Sequence, residues 1–407
     1  MSAPKKTGRR SLLVTSATLL SLSVTAPAAL AAPVPSTSPA ATPPATMSTV
    51  GGVRLGQSGT QVNLAPGVPV LPKDITARSW IITDAESGDV LAAHDAHWPL
   101  PPASTLKMLF ADTLLPRFPQ ETEHKVMSSD LAGMGAGSSV VGIKEGHTYT
   151  VHDLWLGVFL RSGNDAVHVL SAMNEGVAQT VRDMQDHADE LQALDTHVVS
   201  PDGYDEPGQV SSAYDLTLIA RSGLQKKDFR DYCATVSARF GSGVIRNTNR
   251  LLSGDTDVPV YQGIAGVKNG NTTNAGATFT GVAERNGRVL LVTVMHPEKP
   301  GHNEVYKEAA RLFDWGFQAA GKVNPVGELV RPKSALPSPA PSASAANATG
   351  TGGPGTGAAA RATAGSGSGV GTAAAIAGGL LVLLGGGAFL VNRRWPLPDL
   401  MRRRSRP

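Results

Sequence analysis

The segment from Pro101 to Met108, PPASTLKM, sets a serine hydroxyl and a lysine amine three residues apart at the head of an apolar run. Proline just before or inside the first turn suits a helix start, so the spacing predicts a helix from Ala103 to about Leu115. On such a helix Ser104 and Lys107 share one face. A neutral lysine amine in that position can take the serine proton and activate an otherwise weak nucleophile. Ser2 and Lys5 show the same spacing. The tetrapeptide alone therefore reads better as a helix start with an ordinary surface lysine.

Two further motifs stand downstream. Ser162-Gly163-Asn164 is the single Ser-x-Asn triplet of the chain and interrupts two apolar helical stretches, HDLWLGVFL and NDAVHVLSAM. Its glycine predicts a short loop between helices. Lys268-Asn269-Gly270 heads the strand-like run GVKNGNTTNAGATF, whose glycines allow a ligand close to the backbone. Lys-x-Gly also occurs at 144–146 and 299–301, so only its strand context singles this copy out.

The elements that must position these groups follow from periodicity. SWIITD (79–84) and DVLAAH (89–94) flank a Gly-containing turn and predict a hairpin. Helical signals fill roughly 150 to 233, including VAQTVRDMQDHADELQAL (177–194) and AYDLTLIARSGL (213–224). ATFTGVA (277–283) and RVLLVTVM (288–295) are joined through Asn286-Gly287, a strong hairpin signal. A last helix is expected from about Glu304 to Ala319. Strands from both ends of the block can then share one antiparallel sheet, with the central helices forming a second subdomain and a cleft between them.

Ser-x-x-Lys, Ser-x-Asn and a Lys-x-Gly strand, in that order and context, resemble the signature of penicillin-binding proteins and class A β-lactamases. The chain looks most like the low-molecular-mass serine D-alanyl-D-alanine carboxypeptidases, and the likeness runs from about 75 to 318. The resemblance implies an α+β, β-lactamase/transpeptidase-like fold: an antiparallel sheet flanked by N- and C-terminal helices, plus an all-helical subdomain. It implies Ser104 as nucleophile, Lys107 as base, Ser162 as proton relay and Asn164 as a holder of substrate amides and Lys107. Lys268 would supply positive charge, and the backbone N–H groups of Ser104 and Asn271 an oxyanion hole. Asn269 and Thr272 would bind the terminal carboxylate, with Gly270 between them in the strand. The implied partners are peptidoglycan stem peptides and, as covalent inhibitors, β-lactams.

Two departures stand out. The family's Lys-Thr-Gly is Lys268-Asn269-Gly270 here, and the arginine expected near the start of the last helix falls on Val305, with His302 and Lys307 as nearby substitutes. They leave room for a non-catalytic binding module of the same fold. A β-lactamase would need a Glu-x-x-Leu-Asn loop, and residues 165–210 contain none; Glu190 in ADELQALD fits poorly.

The ends carry different information. Residues 1–32 read as a signal peptide, with Lys5, Lys6, Arg9 and Arg10 before an apolar run and Ala29-Leu30-Ala31 as a cleavage site; general and twin-arginine export both remain open. Residues 33–65 are expected to be a flexible Pro/Ser/Thr-rich segment, 66–330 the enzyme domain and 333–370 a low-complexity linker. Gly371 to Val391 is uncharged and about the ~20 residues that span a bilayer. The arginines of 392–407 mark the tail as cytoplasmic and the domain as extracellular.

The formal net charge of +3 comes partly from these basic ends, and no aromatic-interleaved basic surface points to nucleic acid. The one cysteine, Cys233, excludes an internal disulfide and reads as a small core residue. No spacing suggests a metal site, and no cofactor is implied. His152, His168, His187, His197 and His296 lack companion motifs and read as packing or surface residues, and Asp165 as a helix cap.

Overall fold

The computed structural model describes residues 42–336. Three strands open the fold: β1 (Thr60–Val62), β2 (Ala77–Asp84) and β3 (Asp89–His94). A 3-10 turn, Ala103–Leu106, leads into α1 (Lys107–Leu114). Two short strands, β4 (Glu123–Lys125) and β5 (Thr148–Thr150), pair with each other ahead of α2 (Val151–Arg161) and α3 (Asn164–Met173). The helical region continues with α4 (Val177–Leu191), α5 (Ala213–Gly223) and α6 (Lys227–Ala234). A small hairpin, β6 (Ser237–Phe240) with β7 (Gly243–Arg246), and the one-turn α7 (Arg250–Ser253) return the chain to the sheet. There β8 (Ile264–Thr272), β9 (Gly276–Arg285) and β10 (Arg288–Pro297) run antiparallel, followed by α8 (Glu304–Ala319) and β11 (Gly327–Glu328).

The main sheet runs β1-β3-β2-β10-β9-β8, with β11 also paired to β3. Its two faces are set by the period of two along each strand. Trp80, Ile82, Val292 and Val294 face α8, packing with Leu312 and Phe313. Ile81, Leu291 and Met295 face the other way, onto the core shared with α1 and α5. Central strands buried on both sides thus read as continuous apolar runs in the sequence. Asn286 and Gly287 both adopt positive φ (53° and 75°), as the tight β9–β10 turn requires. Caps set the helix starts: Thr150 accepts from the Asp153 N–H at 3.1 Å and Ser212 from the Asp215 N–H at 3.1 Å.

Part of the region expected to be flexible before residue 66 is built into the domain. Leu55 is buried, Val53–Gly56 forms a 3-10 turn, and β1 pairs with β3. The β4–β5 pair before the predicted helical stretch of about 150–233 and the β6–β7 hairpin after it are strands that the periodicity does not predict. The proposed signal peptide (1–32), the span Gly371–Val391 and the tail 392–407 lie outside the described residues, as does the linker beyond Leu336. Among the described residues no helix is long and apolar enough to cross a membrane.

Candidate active site

Ala103 adopts a left-handed backbone (φ 50°), so the chain turns sharply just before Ser104. The 3-10 turn then eclipses residues three apart. The expected α-helical start is therefore tighter than α, and this brings Lys107 onto Ser104: Nζ donates to Oγ at 2.9 Å. Nζ also donates to the Asp202 carbonyl at 2.5 Å. Lys107 is only 1% exposed. Burial lowers its pKa to about 8, against the opposing pull of the Asp202 and Asp165 carboxylates. The amine is thus half neutral near pH 8, as a general base requires.

The strand side is held by close approach. β8 is an edge strand of the sheet, and a Cβ on Gly270 would lie 2.7 Å from the Ser104 nitrogen and 2.9 Å from Ala103 Cβ. Only glycine lets the strand sit against the Ser104 turn. A Cβ on Gly203 (φ +77°) would likewise fall 2.0 Å from the Ala103 carbonyl oxygen. Lys268, also 1% exposed, donates to the Asn269 carbonyl at 2.7 Å. Burial first, and Lys107 second, hold its pKa well below the ordinary lysine value. The charge expected of Lys268 is therefore disfavoured in the free site and is restored most readily by an incoming anion.

The helical side contributes Ser162 and Asn164. Ser162 closes α2 in a left-handed conformation (φ 57°), and its buried Oγ has no hydrogen-bond partner among the described residues. Left-handed non-glycine residues are strained by about 1–3 kcal/mol and gather at functional sites. Asn164 donates from Nδ2 to Ser138 Oγ at 3.0 Å, while its buried Oδ1 is unpaired among the described residues. Two polar atoms are thus left with bonding capacity on this wall.

Asp165, expected to be a helix cap, does something longer-ranged. Its carboxylate accepts from the N–H groups of Val141, Gly142 and Ile143 at 3.0, 2.8 and 2.8 Å, pinning that loop to α3.

Sequence reasoning missed the segment behind Lys107. Asp202 is buried, accepts from the Tyr204 N–H at 2.9 Å and Ser200 Oγ at 2.9 Å, and lies 3.8 Å from His168. Its pKa falls to about 2: burial opposes that shift, and the neighbouring His168 and Lys107, with the Tyr204 N–H and Ser200 hydroxyl bonds, outweigh it. The turn-rich string SPDGYDEPG was the available signal.

At the carboxylate end, the Asn269 Oδ1 accepts from Thr248 Oγ1 at 3.0 Å, leaving its NH₂ as donor. Thr272 Oγ1 accepts from the Ala275 N–H at 3.2 Å and shapes the turn into β9, while Asn271 is exposed. Val305 is 2% exposed and packs in the α8 core. Neither suggested substitute replaces an arginine there: Lys307 binds Asp257 at 2.6 Å and Glu304 at 3.2 Å, and His302 is exposed.

The remaining candidates are structural. Cys233 is buried against Gly266, its thiol pushed up to about 12 by burial. His152 pairs with Tyr232, His187 with Asp112, and His296 with the Ala275 carbonyl. One cluster that spacing did not foresee is His97, Asp195 and Asp215, whose ligand-type atoms lie within 4.8 Å of one another. Its bonds are already made internally. His97 bridges Asp195 at 2.6 Å and the Val50 carbonyl at 2.9 Å, and Asp215 accepts from Thr196 Oγ1 at 2.8 Å. Burial, with Asp195 beside it, raises Asp215 well above the usual carboxylate range. The cluster fastens the 47–56 segment to α5.

Comparison with known proteins places the chain among sequences and folds of one family. The profile of the D-alanyl-D-alanine carboxypeptidase family, peptidase family S11, matches residues 66–299. D-alanyl-D-alanine carboxypeptidase DacB2 of Mycobacterium tuberculosis is 38% identical over 263 residues, covering 63% of this chain and 87% of the relative. DacD of Escherichia coli is 30% identical over 260 residues, covering 61% of this chain and 64% of its own length. Among solved structures, a D-alanyl-D-alanine carboxypeptidase from M. tuberculosis H37Rv superposes with TM-score 0.59 at 35% identity, covering 66% of this chain and all of that one. Penicillin binding protein 6B of E. coli gives TM-score 0.56 at 30% identity, with 63% of this chain and 81% of that one covered. The chain belongs to the D-alanyl-D-alanine carboxypeptidase family of serine peptidases.

Proposed function

We propose that this hydrolase removes the terminal D-alanine of peptidoglycan stem peptides through an acyl-enzyme on Ser104. The observation that carries the reading is the buried Lys107 amine, 2.9 Å from Ser104 Oγ with its pKa lowered to about 8. Ser104 Oγ attacks the carbonyl of the penultimate residue and passes its proton to Lys107. The N–H groups of Ser104 and Asn271 take the oxyanion. Ser162 relays a proton to the departing amine, and D-alanine leaves. Water, deprotonated by Lys107, then cleaves the ester and regenerates the hydroxyl. Asn164 holds the substrate amide with its unpaired Oδ1. Lys268 and the NH₂ of Asn269, with Thr272 beyond Gly270, receive the terminal carboxylate. The unpaired edge of β8 suits an extended peptide lying alongside it.

β-Lactams acylate the same serine on this reading, so fluorescent penicillin is the direct probe. Wild type is expected to label covalently and to release D-alanine from a D-Ala-D-Ala peptide; Ser104→Ala loses both. Labelling that survives in Ser104→Ala overturns the assignment. Labelling of wild type without turnover favours a catalytically weak binding module.

The uncharged stretch Gly371–Val391, with arginines behind it, supports a single-pass tether that keeps the domain outside the membrane. A chain ending at Ser338 is then expected to leave the membrane fraction with penicillin labelling intact. Retention in membranes counts against the tether.

A further inference from the structure

The loop of residues 132–143, between β4 and β5, is fastened to the two segments that carry Asn164 and Asp202. On the α3 side Asp165 accepts from Val141, Gly142 and Ile143, and the Ser139 carbonyl accepts from the Asn164 N–H at 2.8 Å. His168 Nδ1 also pairs with the Ala132 carbonyl at 3.0 Å. On the other side Tyr204 donates its hydroxyl to the Ala136 carbonyl at 2.8 Å. Gly135 lies against the Tyr204 ring, where an added Cβ would stand 2.4–2.6 Å from ring carbons. Tyr204 is itself bonded through its N–H to the Asp202 carboxylate, and the Asp202 carbonyl holds Lys107.

Within this loop, Gly135 to Ser138 form a turn. The Ser138 N–H donates to the Gly135 carbonyl at 3.2 Å, and Gly137 takes φ 75°. The Ser138 hydroxyl has a single proton and gives it to the same carbonyl at 2.7 Å. Towards Asn164 its oxygen can therefore only accept, and it accepts from Nδ2 at 3.0 Å. A reversed carboxamide would set Oδ1 against an oxygen with no proton left to offer. The turn thus decides which end of the Asn164 carboxamide stays free. That end is the acceptor Oδ1, buried and without a partner among the described residues.

We infer that Ser138 is a positioning residue that locks Asn164 with Oδ1 free to accept the N–H of the substrate's acyl-side amide. That amide joins the nitrogen of the penultimate residue to the residue before it. The enzyme therefore selects a substrate with a donor at that bond, and Tyr204 supports the choice by holding the turn. The inference rests on the carboxypeptidase reading of Ser104.

The test uses the full-length protein and two peptides with the same scissile bond. One ends in D-Ala-D-Ala. The other carries D-lactate as its penultimate residue, so an ester oxygen replaces the N–H that Oδ1 accepts. Ser138→Ala is expected to lose about 10-fold in kcat/KM on the amide peptide, the scale of one hydrogen bond whose buried donor is left unpaired. On the ester peptide it should lose less than about twofold, because the contact is already gone. Ser138→Thr keeps the hydroxyl and should stay within about threefold of wild type on both. Tyr204→Phe removes only the bond to Ala136 and should give a smaller loss, again confined to the amide peptide. Should Ser138→Ala fail to fold, Tyr204→Phe carries the same comparison. Equal losses on the two peptides, or no loss on the amide peptide, overturn the role of Ser138. Fluorescent penicillin separates this from failure of the underlying reading: wild type that does not label at Ser104 sinks the carboxypeptidase mechanism itself, whatever the Ser138 variants do.

Discussion

Beside Ser104, Lys107 is buried and bonded to Ser104 Oγ and to the Asp202 carbonyl, and Gly270 approaches the Ser104 nitrogen at a distance no other residue allows. One residue before Gly270 on the same strand, Asn269 is half-buried and shares its Oδ1 with Thr248, while Val305, where the resemblance expects an arginine, is buried in the α8 core. The first region is held by burial, by a backbone carbonyl on Lys107 and by two glycines packed against the Ser104 turn. The second is held by single hydrogen bonds between side chains. Proton transfer and attack tolerate displacements of a fraction of an ångström, whereas a carboxylate can be met by any well-aimed donor or cation. Substitution is therefore absorbed where recognition happens and not where bonds break.

The largest expected effect tests the first region through its base. Lys107→Ala should slow acylation by fluorescent penicillin at least the ~10²-fold that loss of a general base entails. The pH dependence carries the sign. With a pKa of about 8, Lys107 is protonated and inactive as a base at lower pH, so the wild-type acylation rate should fall about tenfold per pH unit below that value and level off above it. Lys107→Ala should lose that inflection. A wild-type rate that is flat between pH 6 and 9 removes Lys107 from the mechanism.

Gly270→Ala comes next. The added methyl would stand 2.6 Å from Thr278 Oγ1 and 2.7 Å from the Ser104 nitrogen, so β8 must retreat from the nucleophile. A misplacement of this kind costs on the order of 10²-fold in rate. The fall should appear in kcat on the peptide and in penicillin acylation alike. Activity within about threefold of wild type, on the same scale of misplacement, means the strand does not define the oxyanion site.

These two regions were also unequally legible in the sequence. Ser104 and Lys107 announce themselves by residue type and spacing, and Asn286-Gly287 by the turn that only such a pair adopts readily. The α8 limits, Glu304 to Ala319, follow from the single apolar stripe of Val305, Ala309, Leu312 and Phe313. The Asp202 contact left no such mark, because the group that holds Lys107 is a backbone carbonyl and any residue supplies one. β6 and β7 escaped for a related reason: the hairpin is largely solvent-exposed, so no apolar alternation is selected. β1 is three residues long and joins β3 through backbone bonds, in a stretch whose composition suggests a tether.

The smallest expected effects sharpen the second region. The NH₂ is the donor group of the Asn269 side chain, its Oδ1 accepting from Thr248 Oγ1, and a hydrophobic replacement removes both. Asn269→Leu should therefore raise the barrier for the free-acid peptide by ~1.5–3 kcal/mol, the worth of a hydrogen bond to a charged group. The amide analogue has no carboxylate to lose and should change little. Equal losses on both peptides would instead assign Asn269 to holding the β8 edge through Thr248. Asn269→Thr is the finer probe. Threonine keeps a donor but shortens its reach, and its branched side chain suits a strand. Turnover of the free acid should stay within a few-fold of wild type, a difference of about 1 kcal/mol or less. A larger loss would mean that the reach of the carboxamide, and not merely the presence of a donor, is what the terminal carboxylate requires.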